Sequence, residues 1–242
     1  MARRRVGSTA TLLIAERVAA IRERVARAAS RAGRSPEEVT LVAVSKLKPA
    51  ADVREAFEVG IRDFGENRVQ EAERKRVALG ALAEARWHLV GHLQGNKAAK
   101  AAGCFDRIHS VDSAALGHRL DKAGRERGRP VRALLQVDLA GEATKFGVPE
   151  ASAGAVLDEL RHGEGIRLEG LMLLPPYDPD PERVRPFFRR LRELRDRARD
   201  EGRLAGGDLS MGMSHDFEVA IEEGATLIRV GTALFGERPG GH

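Results

Sequence analysis

The chain has 242 residues, which at ~100–200 residues per domain allows one large domain or two small ones. Its 42% hydrophobic and 32% charged content and its net charge of +5 suit a globular chain, and no apolar run reaches the ~20 residues of a membrane helix. The single cysteine, Cys104, excludes an internal disulfide framework and a CxxC metal site, and with 4% aromatic residues few side chains can stack on bases.

The first fifteen residues carry arginine but no acid. A transit segment and a loose terminus leading into a helix both fit, and residues 1–11 are expected to be flexible. From there two periodicities alternate. Residues 12–32 read as a helix with Leu13, Ile14, Val18, Ile21 and Val25 on one face. The β-branched run 39–46 reads as a buried strand, 49–60 as a helix, and 61–64 as a short strand ending in GEN. Helix 68–82, strand 87–93 and a short helix 97–102 follow. Strand 107–111, helix 113–127, strand 131–139 and helix 149–162 come next. Strand 168–173 leads to a long helix, 181–203, with Val184, Phe187, Phe188, Leu191 and Leu194 on one stripe and arginines and acids elsewhere. Strand 208–211, helix 216–223 and strand 227–230 complete the series, with GTALFG after the last strand.

Eight strands alternating with helices over about 200 residues are the count and length of a single closed (β/α)₈ TIM barrel with parallel strands. An open doubly wound sheet competes, but the first strand ends in SKLKP rather than a glycine-rich dinucleotide turn. No linker or composition shift divides the chain, so one domain over residues 12–238 with a flexible tail at 239–242 is expected.

In a barrel, chemistry gathers at the carboxyl ends of the strands. Lys46, Asn67, Gln94, Asn96, Lys97, Asp112, Thr144, Lys145, Ser210, Met213, Ser214, Arg229, Gly231 and Thr232 all fall at such ends. Lys46 closes the apolar run LVAVS. Burial there would depress its pKa and free an amine for Schiff-base chemistry; from composition alone, a lysine reaching out to solvent at the rim is the more ordinary reading. Lys48 lies on the same face by alternation but nearer the edge. After the last two strands, Ser214 reads as the cap of the helix that follows it. Gly231 reads as a place where backbone approaches an anion, a common phosphate site in barrels, although a capped helix and a tight turn explain both motifs as well.

Other constellations are weaker. His88 and His92 are four apart on one strand face, with no third metal ligand in view, so no metal is expected. Asp138 and Glu142 lack the matched setting of paired carboxylates, and Ser45, Ser210 and Ser214 lack a His–Asp pair. Cys104 reads as a small buried hydrophobe.

Seven blocks, AVSKLKP (43–49), FGENRVQE (64–71), WHLVGHLQGNK (87–97), TKFG (144–147), LEGLM (168–172), LSMGMSHDFEVAIEEGAT (209–226) and RVGTALFG (229–236), resemble, in order, the pyridoxal phosphate homeostasis family, also called the YggS-like family. The resemblance spans residues 12–238. It implies a barrel like the N-terminal domain of alanine racemase, holding pyridoxal 5′-phosphate as a Schiff base on Lys46. It also implies that Asn67 lies beside the cofactor, Ser210 and Met213 wall the ring and phosphate, and Ser214, Gly231 and Thr232 bind the phosphate. Arg229 would face the pyridine nitrogen. The departures are peripheral: Gly95 stands at a variable position, and the tail ERPGGH is unlike a structured extension.

An arginine against the pyridine ring disfavours its protonated form and weakens carbanion stabilisation. The chain closes six residues after Gly236, so the racemase's second domain is not expected. A cytoplasmic, monomeric carrier with little or no turnover and no catalytic residues follows, serving cofactor homeostasis with apo-enzymes as recipients. A racemase of low activity is the alternative.

Overall fold

The computed structural model describes residues 9–80, 82, 84–141 and 146–237. Among them the expectation of a barrel holds. The strands are β1 (Thr40–Val44), β2 (Asp63–Glu66), β3 (Arg86–Leu89), β4 (Arg107–Val111), β5 (Val131–Asp138), the two-residue β6 (Val148–Pro149), β7 (Ile166–Met172), β8 (Asp208–Met213) and β9 (Leu227–Val230). Their order is β4-β3-β2-β1-β9-β8-β7-β5-β6, and a β4–β5 pairing closes eight parallel strands into a ring. The short β6 extends β5 at its carboxyl end, a pairing that the sequence pattern does not reveal.

Helices return the chain from each strand end to the next strand start: α1 (Thr9–Arg31) precedes β1, then α2 (Ala50–Glu58), α3 (Val69–Leu79), α4 (Ala98–Cys104), α5 (Ala114–Glu126), α6 (Glu150–Leu160), α7 (Arg185–Asp200), α8 (Phe217–Glu222) and α9 (Thr232–Phe235). The long helix expected from Pro181 opens as a 3₁₀ turn, Pro181–Val184, before α7 begins. Its stripe of Val184, Phe188, Leu191 and Leu194 is buried, while on α1 Leu13 turns out to solvent and Ile14, Val18, Ile21 and Val25 are covered. Among the described residues, no helix is long and apolar enough to cross a membrane. The expectations for residues 1–8 and 239–242 lie outside the described residues.

Strand alternation divides the interior in two. Ala43, Phe64, Trp87, Leu89, Ile108, Leu135, Leu171, Leu209 and Ile228 belong to the large core between the strands and the helices. There the single tryptophan, Trp87, is 4% exposed with its ring 5.7 Å from Phe64. The opposite parity fills the lumen, where Val42, Leu134, Met172 and Leu227 form a second apolar cluster. Gly65 keeps the lumen open, since a Cβ there would meet Val42 and Val44 at 3.1 and 3.2 Å.

Candidate functional site at the barrel mouth

The first strand stops two residues before Lys46. Ser45 extends the ladder through its N–H to the Gly65 carbonyl at 2.9 Å. A turn then closes through Lys48 N–H to the Ser45 carbonyl at 3.0 Å, with Leu47 at φ 62°. Such a φ is costly for a residue with a Cβ and needs outside support. The support is a buried cluster. Lys75 of α3 donates to the Ser45 carbonyl, to Glu66 Oε1 and to Glu71 Oε1. Ser45 Oγ also donates to Glu66 Oε1, at 2.6 Å, and Leu47 N–H donates to Glu71 Oε1 at 2.6 Å. Burial pushes the Glu66 carboxyl up, with the Lys75 and Ser45 hydrogen bonds pulling against it.

Lys46 is thus held at the β1 end, half-buried, between two clamped neighbours. The turn also breaks the alternation that would place Lys48 beside it. Lys48 Nζ instead donates to the carbonyls of Phe235, Gly236 and Glu237 at 3.1, 3.1 and 3.0 Å. Lys48 therefore ties the first loop to the end of the barrel.

Ser214, Gly231 and Thr232 meet after β8 and β9. Ser214 does not cap α8, as the sequence suggests. Its hydroxyl accepts from the N–H groups of Gly231 and Ala233, at 3.3 and 3.2 Å. Asp216 takes the place before α8 and accepts from Met213 N–H at 2.6 Å. Both amides therefore point at the Ser214 oxygen, which leaves the hydroxyl hydrogen to donate; an anion seated there could take the two amides in place of that oxygen. Gly231 has little room to be anything else, because a Cβ would lie 3.2 Å from the Val44 carbonyl oxygen. Thr232 is exposed beside them, and Met213 is 36% exposed on the rim.

Arg229 and Ser210 lie deeper, in the lumen. Arg229 is 4% exposed and donates to Ser210 Oγ at 2.6 Å and to the Leu173 carbonyl at 2.8 Å. Desolvation lowers its pKa to about 10, which still leaves it charged at neutral pH. Ser210 also meets His109 Nδ1 at 2.8 Å, His109 Nε2 meets His88 Nδ1 at 2.9 Å, and His88 Nε2 meets Asp63 Oδ1 at 2.9 Å. Arg86 grips the same carboxylate with two hydrogen bonds. The sequence reading passes over His109 and Asp63. The signal for them is a polar residue inside or at the start of otherwise apolar strand segments, central in WHL, IHS, LSM and IRV and first in DFG.

His88 and His92 do not share a strand face. β3 ends at Leu89, and His92 sits on the rim, bonded to Asp112 at 2.9 Å and stacked on Phe146 at 3.6 Å. Among the described residues, no three His, Cys, Asp or Glu side chains are grouped to hold a metal. Asn67 is half-buried, and its backbone is in contact with Gly91. A cleft of about 590 Å³ opens beside Asn67, lined also by Arg68, His92, Gln94 and Lys97, but neither Lys46 nor Arg229 borders it. Asn96 is exposed nearby, while Thr144, Lys145 and Glu142 lie outside the described residues. Asp138 accepts from the N–H groups of Ala140 and Gly141, an ordinary turn. Cys104 is buried, and although Arg76 stands beside it, desolvation pushes its thiol up.

A lysine at the first strand end, a serine met by two amides after the last two strands and a buried arginine in the last strand thus sit on one closed parallel barrel, which is a barrel of the racemase type. Residues 17–239 match the family described as alanine racemase, N-terminal domain. The pyridoxal phosphate homeostasis protein of Aquifex aeolicus is 43% identical over 223 residues, covering 92% of this chain and 97% of that one. Its namesake in Escherichia coli K12 is 39% identical over 228 residues, covering 93% and 97%. Among solved structures, PipY of Synechococcus elongatus PCC7942 with PLP bound superposes with a TM-score of 0.83 at 43% identity, covering 92% of this chain and all of PipY. The chain belongs to the alanine racemase N-terminal domain family and, within it, to the pyridoxal phosphate homeostasis proteins.

Proposed function

We propose that the chain binds pyridoxal 5′-phosphate at the barrel mouth and holds it reversibly for other proteins. Lys46 would hold the ligand through its amine, and the ligand would supply an aldehyde that condenses with an amine reversibly, with loss of water. Ser214, the Gly231 and Ala233 amides and Thr232 would hold the phosphate, the Ser214 oxygen giving up the two amides to it. Asn67, Met213 and Ser210 would line the ring, and Arg229 would face its nitrogen.

The observation that carries this reading is the meeting of the Ser214 hydroxyl with two backbone amides after β8 and β9, the second of which pairs with β1 and carries the buried Arg229. A permanently charged arginine disfavours a protonated pyridine ring, and an unprotonated ring is a poor sink for a carbanion. The protein therefore releases its cargo to apo-enzymes in the cytoplasm with little turnover of amino acids, acting as a monomer.

The test is an absorbance spectrum with added pyridoxal 5′-phosphate, followed by borohydride reduction and mapping of the modified lysine. A visible band and a label on Lys46, both lost in Lys46→Ala, are expected. No band, or a label elsewhere, overturns the assignment. Incubation of the loaded protein with L-alanine in deuterated water decides turnover: multiple rounds of α-deuteration would make the protein a racemase.

A further inference from the structure

The lumen carries a hydrogen-bonded chain whose protons can be placed one by one. Asp63 is gripped by Arg86, which helps hold its carboxyl down to about 2 against the cost of burial, so it has no proton to give. His88 Nε2 must then donate to it. A second proton on His88 would place a cation in a closed, desolvated space, so its Nδ1 accepts and His109 Nε2 donates. By the same step His109 Nδ1 accepts, and among the described residues the donor that reaches it is the Ser210 hydroxyl. Counting from the other end gives the same order. Arg229 can only donate, so Ser210 accepts from it and sends its own hydrogen to His109.

Every donor points from Arg229 toward Asp63, and no buried polar atom among these side chains is left without a partner. The charged groups around the two rings are Asp63, Asp106, Arg107 and Arg229. Burial pushes both imidazoles toward the neutral form, as the hydrogen-bond order requires.

We infer that His109 is a positioning residue: with His88 and Asp63 behind it, it keeps the Ser210 hydrogen turned away and a Ser210 lone pair turned toward Arg229, which fixes the guanidinium against the ring nitrogen of the bound ligand. This rests on the ligand assignment above. Without the acceptor on His109, the Ser210 hydroxyl is free to rotate its hydrogen toward a cation, and Arg229 loses its anchor. The chain crosses the lumen from Asp63 at the start of β2 to Arg229 in the last strand, so a residue remote from the mouth shapes what happens there.

Two measurements test it. In the ligand-free full chain with ¹⁵N-labelled histidine, both His88 and His109 are expected as neutral Nε2–H tautomers from about pH 5 to about pH 8. An Nδ1–H tautomer or an imidazolium at His109 overturns the proton order whatever the ligand. With pyridoxal 5′-phosphate, His109→Phe and Ser210→Ala are each expected to weaken binding roughly tenfold and to move the pH midpoint of the visible band. The double variant is expected to lose roughly tenfold as well, because the two act through one bond. Additive, roughly hundredfold loss, or no change in His109→Phe, overturns the positioning role. If the parent protein gives no visible band at all, the ligand assignment fails, while the histidine spectra still decide the proton order.

Discussion

Lys46 and Lys48 have the same chemistry and nearly the same position in the sequence, yet the fold gives them different tasks. The distinction comes from Leu47, whose positive φ turns the chain and ends the alternation. Sequence pattern places a lysine at the end of a buried strand; it does not disclose a backbone conformation that is unfavourable locally and enforced by α3. Gly91 is a comparable case. It is where β3 gives way to the rim, and a Cβ there would stand 2.6 Å from the Asn67 carbonyl oxygen and 2.8 Å from its Cα. Those atoms are backbone and cannot step aside. Gly91→Ala is therefore expected to cost about 1–3 kcal/mol in urea unfolding and to weaken pyridoxal 5′-phosphate binding by moving Asn67. Unchanged stability would show that the two loops separate freely.

At the scale of elements, α3 bears most directly on the candidate lysine. Its Lys75 is 6% exposed and Glu66 is fully covered, and together they hold the turn after β1. A buried pair of this kind adds little over an apolar substitute, but removing one partner strands the other charge. Lys75→Met is expected to lower stability by about 3–5 kcal/mol, read from denaturant midpoints, with slower trapping of Lys46 by borohydride. If Lys75→Met and Glu66→Gln together recover most of that loss, the stranded carboxylate is its source.

Most elements are legible in the sequence because apolar spacing records which face meets the core. The α7 stripe follows from that alone, with Val184, Phe188, Leu191 and Leu194 buried and Phe187 half-buried at its margin. The edges are not legible. Strand β2 runs from Asp63 to Glu66 rather than from Ile61, because Gly60 at φ 91° still belongs to the turn. Ser214 reads as a local cap, whereas its hydroxyl is recruited by amides 17 and 19 residues away. The histidine chain is not legible for the same reason, since its links join five strands and pairwise spacing along one strand carries no trace of them.

For the whole molecule, the lumen histidines set the acid limit. Burial lowers both below their ordinary value, so the folded state prefers them neutral. A depressed basic group contributes stability above its unfolded pKa of about 6.5 and loses it as pH falls toward the folded value. Asp63, held at about 2, contributes above about 3.9 and fades only below that. Unfolding midpoints in denaturant are thus expected to fall first as pH drops below about 6.5, well before the carboxylates titrate. A midpoint flat down to pH of about 4 would mean that the imidazoles are paired otherwise. Trp87 offers a different use of the same architecture. It is the only indole in the chain, set in the barrel wall against Phe64. Its emission overlaps the absorption of a conjugated pyridine imine, so energy transfer from this one donor would dim its fluorescence as cargo loads and restore it on release. Delivery to an acceptor enzyme could then be timed optically without attaching a dye.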